Sequence, residues 1–434
     1  MITALGPIVF YLIGIVVFFT ALSGRIKWAL CYVIFLAPLR NVIEKIHEFP
    51  FGKDFLDILI IVMILGWILG ALAGRRAIFE KSAINFAAIL LILYTTFSLW
   101  KGYFYLHYYD FFNALDPRVQ DWKNFCMLPI LFFLTLNTIN DRKWIERIIV
   151  ILSVSMLLVG YYTVRQISDF SVLVSREKIN GTFVYLGPNE VAAFYSQFTI
   201  LLISVFFGFK KGIKKIFLLG LICVGVYCIV FLFSRAAYLA FVVALFLLLL
   251  FRKPLYLIPL LAVLICWQTV LPSEVKTRIE MTTTETGQLD ASAENRLVVW
   301  QQSIELFKSD PIFGVGFGVF RYMGFQLGDT HNIYLKILAE QGIIGFFVFL
   351  ILIFAFFREG WKLFRRGEDE LARSLGFGFL MCLVALLINN LFGDRWTYFQ
   401  LSAYLWVFAA LVSRLNAGVT PVEEKAISQD KKQQ

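Results

Sequence analysis

Histidine is scarce in this chain: His47, His107 and His331 are the only three in 434 residues. They stand far apart and no tight carboxylate spacing accompanies them, so the sequence carries no metal-ligand signature. The six cysteines, Cys31, Cys126, Cys223, Cys228, Cys266 and Cys382, all lie in or beside apolar runs. They read as small buried hydrophobes, and neither a disulfide nor a metal framework is expected. Charged residues make up only 16% of the chain, and acidic ones deep within apolar runs are rare. Proton and sodium relays need such residues, so ion-coupled transport is disfavoured. No G-x-S-x-G and no compact Ser/His/Asp arrangement is present. The N-terminus lacks a basic leader and no A-x-A precedes Arg25, so no cleaved signal peptide is expected. A net charge of +10 would suit a nucleic-acid partner. No aromatic-plus-basic recognition module supports one, however.

What the chain has in abundance is apolar sequence: 59% hydrophobic residues and a mean hydropathy of +0.76. Several windows of about 18–20 apolar residues are long enough to cross a hydrocarbon core of roughly 30 Å. They are continuous and do not alternate with polar residues, which predicts helices and excludes a barrel. The expected fold is all-α: a polytopic transmembrane bundle of about 12–13 spans with one large loop, 272–340, containing short helices. The apolar runs fall at 5–22, 28–39, 55–74, 83–99, 125–137, 148–164, 190–208, 216–233, 235–251, 255–271, 341–357, 374–391 and 398–413. Runs 28–39 and 125–137 are short enough for a tilted or re-entrant path. Residues 1–414 read as one integral membrane domain, and 415–434 as a disordered tail.

Basic clusters alternate along this pattern. Arg25/Lys27, Arg75/Arg76/Lys81, Arg142/Lys143/Arg147, Lys210/Lys211/Lys214/Lys215, Arg252/Lys253 and Arg358 to Arg373 share one side. The positive-inside rule makes that side, with the tail, cytoplasmic. The loops 40–54, 100–124, 165–189, 234–236, 272–340 and 390–397 fall on the other side, and they are the more chemically varied. Loop 100–124 is rich in Tyr, Phe and Trp and carries Arg118 and Lys123 beside the next span. Loop 165–189 ends in a Gly187-Pro188 turn, after which Asn189 and Glu190 open a helix. There they serve equally as ordinary start signals or as site residues. Ser234-Arg235-Ala236-Ala237 is the whole link between two spans, so Arg235 is pinned at the boundary. It is either a snorkelling arginine or a bidentate phosphate ligand.

The longest polar interruption runs from Pro272 to Gly342. Leu297, Trp300, Ile304 and Phe307 recur at helical spacing, predicting an amphipathic helix over 295–308 with Arg296 and Trp300 on one face. That pair is either a structural stack or an anion ligand braced by an indole. Pro311 ends the helix, and Gly314, Gly316 and Gly318 follow. With no preceding strand they do not read as a dinucleotide loop. A tight loop passing close to other backbone accounts for them better. Asp329 or Thr330 then reads as an N-cap that places His331 in a first helical turn, where the helix dipole favours a neutral imidazole. A neutral imidazole near pH 7 suits a general base, although a lone histidine is more often a packed polar residue.

The ordered set Gly181…Pro188-Asn189, Ser234-Arg235, Arg296-x-x-x-Trp300, Asp310-Pro311-x-x-Gly314-x-Gly316 and His331-Asn332-x-Tyr334-Leu335…Glu340-x-Gly342-x-x-Gly345 resembles the O-antigen ligase/polymerase superfamily over roughly 180–410. These are bacterial polytopic glycosyltransferases of C-type fold. The resemblance implies a donor glycan on undecaprenyl diphosphate, an acceptor that is a glycan or lipid A–core, and membrane lipids as surroundings. It implies an inner-membrane enzyme acting at the periplasmic face, without metal, cofactor, nucleotide sugar or nucleic acid. Arg235 and Arg296 would hold the diphosphate, and His331 would deprotonate or orient the acceptor hydroxyl for inverting attack. Asn189, Glu190, Trp300, Asn332 and Tyr334 would border the substrate. Arg118 and Lys123 are weaker candidates, carried by charge and place alone. Ala236 departs from the glycine that many members have after the arginine. Ligase-type chemistry is the leading expectation. A repeat-unit polymerase, a flippase or exporter of the same lipid-linked glycan, and a structural membrane partner are the alternatives.

Overall fold

The computed structural model describes residues 2–74, 78–107, 113, 115–169, 173–210, 212–280, 291–325 and 328–418. The polar run 281–290, the Arg75/Arg76 pair, Lys211 and the tail beyond 418 lie outside the described residues. Within them the secondary structure is helical without a strand. The order is α1 (Ile2–Leu22), α2 (Ile26–Leu36), α3 (Arg40–Ile46), α4 (Phe55–Leu72), α5 (Ile84–Tyr105), α6 (Pro117–Thr138) and α7 (Arg142–Asp169). There follow α8 (Pro188–Gly208), α9 (Ile213–Phe231), α10 (Arg235–Arg252), α11 (Leu257–Ile265), α12 (Trp267–Val270) and α13 (Ser273–Glu280). Last come α14 (Ala291–Ser309), α15 (Ile333–Arg366), α16 (Glu370–Asn389) and α17 (Phe399–Asn416). This is a polytopic helical membrane protein. Among the described residues, 8 helices are long and apolar enough to cross a membrane, or 9 if the bent pair α2–α3 is one span.

That number is smaller than the thirteen apolar runs of the sequence, and particular residues show why. Run 28–39 bends by 114° between α2 and α3, where Pro38 cannot continue the helix. Run 255–271 is broken into α11 and α12, and nine residues of helix reach only about 14 Å. Pro254 opens the short 3-10 turn before α11, Pro259 lies in the first turn of α11, and the break itself falls at Cys266. Run 125–137 is the apolar half of the 22-residue α6. The other half carries Arg118, Asp121 and Lys123, which hydropathy scores against a span although each has a carboxylate or guanidinium partner.

The helices divide by what surrounds them. α17 is buried on every side from Gln400 to Arg414, and α8 is buried from Val191 to Leu202. α16 packs along α8, α10 and α15, closing the centre. Outer helices keep one apolar face outward, as with Ile61, Leu65 and Leu69 on α4 and Ile216 and Leu219 on α9. That face suits lipid tails, because no backbone group is left unsatisfied on it.

Ion pairs sort the loops into two ends. Lys27–Asp141, Lys214–Glu146, Arg142–Asp369, Arg252–Glu370 and Arg414–Glu80 join segments that the basic clusters assign to one side. Lys123–Asp57, Lys101–Asp310, Arg321–Asp121, Arg395–Glu190 and Lys336–Asp394 join the opposite loops. The alternation read from charge is therefore a physical separation of two ends of the bundle.

Candidate functional site

The site is built around a break in α15. Gly342 has φ +64 and ψ −166 inside the helix, which frees backbone groups on both sides of it. The glycine loop 311–317 satisfies them. Val315 N donates to Ala339 O at 2.9 Å and Gly316 N to Glu340 O at 2.8 Å. In return Ile343 N donates to Pro311 O at 2.9 Å. The approach leaves no room for side chains. A Cβ on Gly314 would lie 2.4 Å from Gln341 N, and one on Gly316 would lie 2.2 Å from Gly102 Cα on α5. The glycines are thus a tight backbone crossing, as their spacing suggests.

This crossing sets the start of α15. The cap is Asn332, whose side chain accepts from Tyr334 N at 3.0 Å and Leu335 N at 3.2 Å. Neither Asp329 nor Thr330 caps the helix, and His331 is not in its first turn. The sequence points to Asp329 or Thr330, and Asn332, beyond His331, takes the cap instead. His331 therefore lies just outside the helix in the left-handed region, at φ +50, where a non-glycine residue is held only by its surroundings. Ile333 N donates to Asn390 O at 3.1 Å, fastening this turn to loop 390–397.

His331 is half-buried with Nδ1 3.7 Å from Asp329 Oδ2. Burial lowers its pKa below the usual imidazole value. The field of Asp329 raises it, those of Arg296 and Arg395 lower it, and that of Glu190 raises it, with a net lowering. Desolvation is the largest cause of the lowering, and it favours the neutral imidazole. Arg395 Nη1 in turn lies 2.8 Å from Glu190 Oε1. His331, Arg296, Arg395, Glu190 and Asp329 thus form one electrostatic neighbourhood drawn from the start of α8, from α14 and from the turns before α15 and α17.

Arg235 begins α10 after Ser234, and the turn before it is held from two directions. Phe233 has φ +53, and its carbonyl accepts from Arg176 Nη1 at 3.0 Å and from Arg278 Nε at 3.3 Å. Arg176 Nη2 also donates to Asn189 Oδ1 at 2.8 Å, next to Glu190. Burial and the field of Arg278 lower the pKa of Arg176. Arg235 therefore sits at the same end as His331, linked to its neighbourhood through Arg176, Asn189 and Glu190.

The other expected residues have structural duties. Arg118 is buried against Asp116, at 2.6 Å, and lies 4.1 Å from the Tyr103 ring centroid. Lys123 pairs with Asp57. The Tyr334 hydroxyl donates to Leu387 O at 2.7 Å. Trp300 packs into a cluster with Val299, Leu306, Val315, Val319 and Phe320. The inward face of α14 is Val299, Ser303 and Leu306, whereas Leu297 and Ile304 of the expected apolar face are exposed. Two stripes of similar period compete on this helix, and the glycine loop and Phe320 turn take the Val299 side.

Sequence reasoning passed over Arg176, Arg395 and the Lys336–Asp394 pair. The signal for two of these was present: Gly393-Asp394-Arg395-Trp396 places charges of both signs in a turn between two apolar runs. Arg176 sits in a short 3-10 turn among other charges and had no distinguishing context. Among the described residues no three His, Cys, Asp or Glu side chains gather as a metal site.

Comparison with known proteins bears on this end of the bundle. Residues 217–350 match the O-Antigen ligase family. That stretch contains Arg235, Arg278, Arg296, the glycine loop, His331 and the break at Gly342. The chain is also similar to the exopolysaccharide production protein ExoQ of Rhizobium meliloti (strain 1021), 25% identical over 138 residues. This covers 28% of the chain and 31% of that protein's length.

Proposed function

From the match of residues 217–350 to the O-Antigen ligase family, we propose that this chain is a glycosyltransferase that moves a glycan from undecaprenyl diphosphate to an acceptor hydroxyl. The observation that carries this reading is the half-buried His331, its pKa lowered by burial, set among Arg296, Arg395, Glu190 and Asp329. A neutral imidazole with an orienting carboxylate is fitted to accept a proton, and the guanidinium groups beside it favour an anionic leaving group.

In this reading the acceptor oxygen attacks the anomeric carbon from the face opposite the diphosphate, giving inversion. The carbon–oxygen bond to the diphosphate breaks as the new glycosidic bond forms. His331 takes the hydroxyl proton, and undecaprenyl diphosphate departs with the bonding electrons. Arg235 and Arg296 oppose the charge that grows on it. Guanidiniums held in place at this end of the bundle would need little reorganisation. The lipid tail stays in the bilayer while the sugar reaches the loop, which supplies proximity. We place the reaction at the periplasmic face of the inner membrane, opposite the basic clusters.

Two acceptors fit. Lipid A–core makes the protein an O-antigen ligase, the leading reading. A second glycan chain makes it a polymerase, which the similarity to an exopolysaccharide production protein favours. Purified protein supplied with undecaprenyl-diphosphate glycan and each acceptor tests both. His331→Ala is expected to lower transfer by about 10²–10⁴-fold. Arg235→Ala or Arg296→Ala is expected to lower it by about 10²–10³-fold with the protein still folded. Full activity in all three variants would end the proposal. A flippase would instead move the donor across a bilayer in the absence of any acceptor.

A further inference from the structure

At the opposite end of the bundle a cavity of about 330 Å³ opens where α2 begins, α6 ends and α7 begins. Arg25, Lys27, Trp28, Asn137, Thr138, Asn140 and Trp144 line it with Gly24 and Ile26. None of these residues has a part in the glycan chemistry above. The walls are two indoles, Trp28 and Trp144, packed edge to face at 5.2 Å. Lys27 Nζ is steadied by Asn140 Oδ1 at 2.8 Å and Asp141 Oδ2 at 3.4 Å, and lies 5.5 Å from the Trp144 ring centroid. Arg147 stacks on the same indole at 4.7 Å. Arg25 and Trp28 are exposed at the rim. Asp141 is the acid nearest Lys27, and its Oδ1 is engaged by Trp144 N at 3.0 Å. Of the two lining cations Lys27 is paired with Asp141, and the exposed Arg25 leaves the cavity positive, with Arg147 behind the Trp144 wall.

We infer that this cavity binds the headgroup of an anionic phospholipid. The charge is complementary to a phosphodiester. The Asn137 carboxamide is engaged by Glu80 N at 2.7 Å and Phe133 O at 2.7 Å, and Asn140 Oδ1 by Lys27, so the amide NH2 of Asn140 is the group that suits the ester oxygens of a glycerol headgroup. Indoles are at home at the level of the headgroups, and basic pockets between membrane helices are a recurrent setting for such lipids. The cavity lies at the end that collects Lys214, Arg142 and Arg252, and clusters of basic residues belong at the boundary of the bilayer. A soluble phosphate would meet the same cations but would leave the indole walls unused.

The full chain in nanodiscs of phosphatidylcholine, with or without phosphatidylglycerol, tests this. Native mass spectrometry reads the lipid retained, and thermal unfolding reads the protection it gives. The wild type is expected to retain phosphatidylglycerol over phosphatidylcholine, with an unfolding midpoint raised on the order of 2–4 °C. Arg25→Gln/Lys27→Gln should weaken retention about tenfold, whereas Arg365→Gln/Arg366→Gln, exposed cations of the same end, should retain it. Arg25→Gln alone removes an exposed side chain and guards against misfolding; a loss of about threefold is expected. Equal loss in both double variants would overturn the inference, because general surface charge would then suffice. So would retention unchanged by Arg25→Gln, absence of lipid preference in the wild type, or the same protection from inorganic phosphate alone.

Discussion

Arg395 Nη1 stands 2.8 Å from Glu190 Oε1, and the fields of both residues reach His331 with opposite sign. One comes from the loop before α17 and the other from the first turn of α8, so the fold balances the imidazole between two distant segments. The net effect on His331 is a lowered pKa, with burial the largest cause. This balance gives a sign test that simple loss of a side chain would not.

Arg395→Gln removes a field that lowers the histidine pKa and frees Glu190, which raises it. The acid limb of the pH dependence of kcat/KM should therefore move to higher pH. Glu190→Gln acts the other way: it removes a raising field and leaves Arg395 unneutralised, so the limb should move to lower pH. Asp329→Asn should share that second direction. A pH–rate series on the three variants checks the signs. Movement of all three limbs in one direction would contradict His331 as the titrating base. The same lowered pKa has a consequence for stability. The unfolded histidine binds its proton more readily, so folding loses support as pH falls through the ordinary imidazole value of 6.5.

Much of this arrangement is legible in the residues. The apolar runs, the alternation of basic clusters and the glycine loop each follow from short-range physics, and the bundle shows all three. The start of α15 is less legible. Asp329, Thr330 and Asn332 are all good cap formers, and the cap falls at Asn332, where Ile333 N is tied to Asn390 O on a distant loop. The facing of α14 fails for a related reason. Its two apolar stripes differ by about a third of a turn, and the choice is made by Phe320 and Val315, residues outside the helix. Arg176 was invisible because its role depends on a carbonyl, that of Phe233, more than fifty positions away.

The three loop glycines are predicted to differ in what they tolerate. All have positive φ, which costs a substituted alanine roughly 1–2 kcal/mol. Gly314→Ala and Gly316→Ala also drive a methyl into backbone at 2.4 and 2.2 Å, so these should cost about 3 kcal/mol or more. A Cβ on Gly318 meets nothing nearer than Arg118 Cγ at 3.6 Å, so Gly318→Ala should cost only the backbone term. Thermal unfolding of the three variants in detergent measures the order. Equal destabilisation at all three positions would mean that the crossing is looser than the backbone bonds indicate.

Asn332 caps α15 and adjoins His331, so its loss should be felt twice. Asn332→Ala is expected to cost about 1 kcal/mol in stability and to lower kcat for glycan transfer, because the left-handed turn at His331 loses its anchor. Asn332→Asp keeps a cap acceptor and should restore most of the stability. If Asn332→Ala lost stability with kcat unchanged, the cap would serve the helix alone.

Lys336 Nζ lies 2.8 Å from Asp394 Oδ2, and Asp394 is wholly buried. The carboxylate also accepts from Trp396 N at 3.0 Å and Thr397 N at 2.9 Å, so it organises the turn from which Arg395 reaches Glu190. Lys336→Met strands that charge and should cost about 3 kcal/mol, since removing one partner of a buried pair leaves the other uncompensated. Asp394→Asn should cost less, because Lys336 is partly exposed and keeps Asp329 at 3.6 Å. The double variant Lys336→Met/Asp394→Asn should be more stable than the sum of the two losses by about 1 kcal/mol or more, as interacting groups require. Unfolding of the three variants closes the cycle, and strict additivity would show that the pair is not coupled. Transfer activity should fall in Lys336→Met more steeply than stability does, because loop 390–397 carries Asn390, whose carbonyl holds Ile333 N just after His331.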